Sequence, residues 1–85
     1  MPNSTDIQKQ VDTHVRRMLE EEAQLSQRIV MLSTFISGAD KFKQLPAIDQ
    51  ELLAAQLFVM QSYASILNTR LRLATTAGVT VPLAN

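Results

Sequence analysis

An 85-residue chain is one small domain, and this one has no cysteine, so neither a disulfide nor a thiolate metal site can brace it. Eight basic side chains balance eight acidic ones at a pI near 6.5, which argues against a general duplex-DNA binder, since such domains carry a strong basic excess. No apolar run approaches the ~18 residues of a membrane span, and the one histidine and scattered carboxylates show no metal spacing, so no metal, cofactor or membrane is expected.

The N-terminal stretch MPNSTDIQKQVDTHVRR is polar where a signal peptide would be hydrophobic, which suggests a soluble, intracellular protein. Thr5 and Gln8 have the spacing of a capping box, predicting a helix from about residue 5 to 37. Val15, Met18, Leu25, Ile29, Leu32 and Ile36 recur at intervals that stack them on one face. Glu22 intrudes in that register, either as a solvated seam edge or as a polar position that sets register.

Gly38 is expected to end this helix in a left-handed conformation. The connection SGADKFKQLP is too long for a bare turn and too apolar for a flexible loop, which predicts a short helical turn over about 39–45. It lays Phe42 and Leu45 over the open end of the hairpin, with Lys41 and Lys43 in water. Pro46 starts the next helix, about 46–77, and Asp49 and Glu51 sit where the helix dipole favours negative charge.

That second long helix carries two apolar stripes. Leu53, Leu57, Met60, Ala64, Leu67, Leu71 and Ala74 alternate by four and three, as suits one antiparallel partner helix. Beside them run Leu52, Val59, Tyr63, Ile66 and Leu73, interrupted by Gln56 and Arg70, while Phe58 falls outside both. A hairpin buries one stripe and has no third layer for the other. Leaving four or five large side chains wet forgoes about 1.5 to 3 kcal/mol each, comparable to a small domain's whole net stability. The fold class expected is therefore all-α, a long antiparallel helical hairpin with a short helical turn, assembling into a homo-oligomer through Leu52, Val59, Tyr63, Ile66 and Leu73. The N-terminal half of the first helix completes that contact. After Gly78, residues 78–85 read as an extended tail, lying on a neighbour or loose, within a single 1–85 domain.

Arg70 and Arg72 diverge by about 200° around a helix, so they cannot face one place. No acidic residue follows Glu51, and Arg70 falls in the second stripe. It either packs its stem there with the head in water or against another chain's acid, or it binds an anion, for which guanidinium suits phosphate oxygens. Tyr63 beside it is either interfacial or a platform for a nucleobase. His14, Arg16 and Arg17 form a basic cluster before Glu20, Glu21 and Glu22, and the four-residue spacings allow ordinary exposed helix pairs. Nothing positions an acid or nucleophile for His14, no phosphate loop or nucleophile elbow is present, and catalysis is not expected.

The segment LSTFISGADKFKQLPAIDQELLAAQLFVMQSYASILNTRLRL, about half the chain, resembles the helical-hairpin domain of small bacteriophage proteins. The shared pattern falls here on Phe35–Ile36, Phe42 and Leu45, Leu52–Leu53, Gln56–Leu57, Met60, Tyr63, Ile66–Leu67 and Arg70–Leu71. Members include anti-CBASS and anti-Thoeris sponges, which sequester the cyclic nucleotide alarm signals of bacterial immunity. The resemblance implies a homo-oligomer, hexameric in known sponges, acting in the host cytoplasm. Its pockets between protomers would bind cyclic dinucleotides or cyclic trinucleotides without cleaving them. It points to Arg70 with a neighbour's Tyr63, Asn68 or Thr69 as ligand contacts. Sponges of this type also clamp bases with an N-terminal aromatic and basic residues. No Phe, Tyr or Trp precedes Phe35 here, so a pocket built from residues 1–30 relies on His14, Arg16, Arg17 or Arg28. The other reading of the same apolar stripe is a structural or adaptor protein that binds a partner helix.

Overall fold

The computed structural model describes the backbone of residues 4–75 and the side chains of residues 12–75. Three helices follow in order: α1 over Ser4–Gly38, α2 over Asp40–Lys43 and α3 over Ala47–Thr75. The expected Thr5–Gln8 capping box and the expected tail at 78–85 lie outside what is described. The 35 residues of α1 and 29 of α3 make rods of about 52 and 43 Å. The two run antiparallel: Glu21 meets Tyr63, whereas Arg28 and Phe35, nearer the turn, border Gln56 and Met60.

Each rod buries the face its spacing marks out. All seven members of the first α3 stripe, from Leu53 to Ala74, are buried or half-buried, as are Val15, Met18, Leu25, Ile29, Leu32 and Ile36 of α1. Among the described residues the buried apolar side chains are Met18, Leu25, Leu67 and Leu71, and Leu67 alone is fully enclosed, at 0% exposure. The core thus thins towards the turn. Glu22 sits half-buried in the seam and accepts a 2.8 Å hydrogen bond from Ser26 Oγ, so its carboxylate is held rather than free in water.

The turn corrects one expectation. Gly38 is not left-handed: it completes the last turn of α1, and the amide of Ala39 still bonds Phe35 O at 3.2 Å. The chain breaks at Ala39 instead, whose extended φ of −84° and ψ of 129° start α2. An extended residue ends α1 there without any need for glycine's conformational freedom, and the reversal is completed across α2 and residues 44–46. The single turn of α2 brings Phe42 and Leu45, both half-buried, over the end of the hairpin. Pro46 precedes α3 and offers its carbonyl to the amide of Gln50 at 3.1 Å. The side-chain amide of Gln50 reaches back to Leu45 O at 2.9 Å and Lys43 O at 3.3 Å, tying α3 to the connection.

The second stripe is uncovered in the single chain. Leu52, Val59 and Ile66 are 60%, 63% and 55% exposed, and Leu73 and Tyr63 are exposed too. Phe58 and Val30 are exposed elsewhere on the surface. No helix among the described residues is long and apolar enough to cross a membrane.

Candidate functional site

An antiparallel helix pair has two flanks, and the second stripe of α3 lies along one of them. Seven residues return a helix to within about 20° of the same direction, two turns or about 10 Å further on. Gln56, Tyr63 and Arg70 of α3 have that spacing, and so do Arg28, Glu21 and His14 of α1. Because the helices run oppositely, the two series face each other. Arg28 and Gln56 line one groove with Met31, Leu32, Phe35 and Met60, about 470 Å³ in volume. One step along, the hydroxyl of Tyr63 donates across the hairpin to Oε1 of Glu21. A further step reaches Arg70, whose charge acts on Tyr63.

The electrostatics of Tyr63 follow from these neighbours. Its proton is held first by the hydrogen bond to the Glu21 carboxylate, then by partial burial and by the negative charge of Glu21. All three raise its pKa above the ordinary 10.0, and the positive charge of Arg70 pulls the other way. Tyr63 is therefore a neutral donor whose ring, 37% exposed, is pinned at the flank.

The residues singled out from sequence separate into those the fold gathers and those it disperses. Arg70 and Tyr63 share the flank, and Arg28 lines a groove on it. His14 and Arg17, three apart, point within about 60° of each other, whereas Arg16 is displaced by about 100° or more from both. Asn68 and Thr69 are turned about 200° and 100° from Arg70, so within one protomer they do not converge with it. The Thr69 hydroxyl donates to Ser65 O at 3.0 Å. The groove places Gln56 opposite Arg28, and its amide donates only a long 3.8 Å bond to Met60 Sδ. Glu21 is the residue that sequence reading placed elsewhere, as a surface partner for Arg17. The signal available was the shared seven-residue spacing of the two series. Among the described residues no group of three or more His, Asp or Glu is placed to hold a metal ion.

Residues 12–73 match the Sequestin family, a span that holds both facing series and most of the buried seam. The chain belongs to the Sequestin family. That name denotes sequestration, a binding role rather than a catalytic one. A 7.5 kDa protein from the denB–rIIB intergenic region of Enterobacteria phage T4 is 44% identical over 55 residues, which cover 65% of this chain and 84% of the relative. No solved structure matches the chain. As a Sequestin, the molecule presents its most distinctive polar groups on the same flank as its uncovered apolar residues.

Proposed function

We propose that this Sequestin is a phage-encoded, non-enzymatic sponge that binds cyclic dinucleotide or cyclic trinucleotide messengers in the host cytoplasm and so blocks CBASS-type immunity. The observation that carries the reading is Arg70: a guanidinium on a flank of wet apolar side chains, beside an aromatic ring. Copies pack through Leu52, Val59, Tyr63, Ile66 and Leu73, as a hexamer, and enclose that guanidinium in a cleft between chains. There Arg70 meets a ligand phosphate, and a neighbour's Tyr63, Asn68 and Thr69 supply stacking and hydrogen bonds to the bases. Arg16, Arg17 and Arg28 of α1 add positive charge where protomers meet, and His14 adds a ring that can hydrogen-bond the ligand. Sequestration works by mass action: ligand held by the sponge is withdrawn from the host effector, and no bond is broken.

The test joins assembly to binding. Analytical ultracentrifugation should give a hexamer at micromolar concentration. A cyclic dinucleotide or trinucleotide at a hundred times its dissociation constant should stabilise the fold by about 2.7 kcal/mol, and chromatography should recover it intact. Arg70→Ala should sharply reduce the stabilisation while leaving helical content unchanged. A folded monomer at micromolar concentration, or indifference to every such ligand, would leave a protein-binding adaptor as the better account of the stripe.

A further inference from the structure

The flank that carries Arg70 also carries a carboxylate, and a site for a polyanion gains nothing from a negative charge unless the ligand brings donors to it. Glu21 is exposed, and its Oε1 takes the Tyr63 hydroxyl. An ionised carboxylate offers about four lone-pair positions, all acceptors, so capacity remains after one bond is made. The Tyr63 bond also fixes which way the carboxylate lies, and the charge of Arg70 reaches the same phenol. Cation and acceptor therefore both act on one phenol, Glu21 through its hydrogen bond and Arg70 through its charge.

The geometry points to Glu21 as the specificity-determining residue of this site, selecting guanine-bearing phosphodiesters over adenine-bearing ones. The inference rests on the reading of the chain as a cyclic-oligonucleotide sponge. The Watson–Crick edge of guanine presents N1–H and N2–H side by side, two parallel donors that a carboxylate accepts together. The same edge of adenine presents one amine donor beside the N1 lone pair, which would face a carboxylate oxygen as acceptor against acceptor. Glu21 is exposed in the single chain, and once the cleft between protomers encloses it, a polar group left unpaired in this way is what allows a hydrogen-bonding site to reject a near-isostere. Arg70 contributes to both ligands alike, because it meets the phosphate that they share.

The experiment is a calorimetric comparison of cyclic di-GMP and cyclic di-AMP on the full chain and three variants, with circular dichroism confirming helix content. The wild type should bind cyclic di-GMP about tenfold more tightly or better. Glu21→Gln should bring the ratio to about one or invert it, since an amide pairs one donor with one acceptor and so suits adenine. Tyr63→Phe should weaken both ligands but keep the preference, because the carboxylate remains. Arg70→Ala should weaken both equally. A wild type without guanine preference, or an unaltered ratio in Glu21→Gln, overturns the assignment of Glu21 while leaving the sponge reading in place. Failure of the wild type to bind either ligand overturns the assignment of Glu21, and failure to bind any cyclic trinucleotide as well overturns the two together.

Discussion

Phe35 and Phe42 meet edge to face at the turn, their ring centroids 5.8 Å apart and their planes at 80°. Phe35 belongs to the last turns of α1 and Phe42 to α2, so the pair fixes the short helix against the long one. Such pairs contribute about 0.5 to 1.5 kcal/mol beyond the area they bury. A double-mutant cycle with Phe35→Leu and Phe42→Leu, read by urea unfolding, should give a coupling energy of about 1 kcal/mol. Strict additivity would mean that the rings merely share a neighbourhood.

Gly38 offers the opposite kind of substitution. It is helical, and a Cβ built on it meets nothing within 4 Å. Alanine there restricts the unfolded chain without disturbing the folded one, and Gly38→Ala should stabilise the protein by about 0.5 to 1 kcal/mol. A loss of stability would place another chain's atoms against that position.

The contrast between these two sites shows what a sequence discloses. The buried face of α3, from Leu53 to Ala74, was legible because its alternation by four and three is a property of one helix alone. The half-burial of Phe42 and Leu45 was legible because two large apolar side chains in so short a connection have few other places to go. Glycine's frequency after helices suggested a left-handed Gly38, but Ala39 breaks the helix in an ordinary extended conformation, and no local pattern marks that choice. The Tyr63–Glu21 bond joins residues 42 positions apart. It depends on how far the turn advances one helix against the other, and a shift of one residue would send Glu21 to a different partner.

Leu67 and Ile66 are adjacent, yet the fold treats them oppositely: Leu67 is fully enclosed between the helices and Ile66 is 55% exposed. Leu67→Ala removes side-chain volume from the only fully buried position among the described residues and should cost about 2 to 5 kcal/mol in chemical unfolding. Ile66→Asp should leave the hairpin helical by circular dichroism but reduce the assembled mass seen by sedimentation, because it puts a charge into the stripe proposed to pack against another copy. An assembly that survives Ile66→Asp would show that protomers meet elsewhere.

The last prediction concerns the Tyr63 proton. Its folded-state pKa lies above 10.0, principally because the hydroxyl donates to Glu21 and secondarily through burial and the charge of Glu21. A group that holds its proton more tightly folded than unfolded contributes stability below its unfolded pKa, and that contribution disappears as pH rises through the folded value. The stabilising effect of Tyr63 should thus be complete below about pH 10 and fade only in more alkaline solution. Phenolate absorbance of this single-tyrosine chain measures the titration directly, since no other phenol is present. Glu21→Gln removes the charge, and although its amide carbonyl can still accept a hydrogen bond, the titration should move down towards 10.0. Arg70→Ala should move it up, because the charge that opposes the shift is gone. Two variants that displace one titration in opposite directions would place Glu21, Tyr63 and Arg70 in a single electrostatic unit; an unchanged phenol in both would separate them.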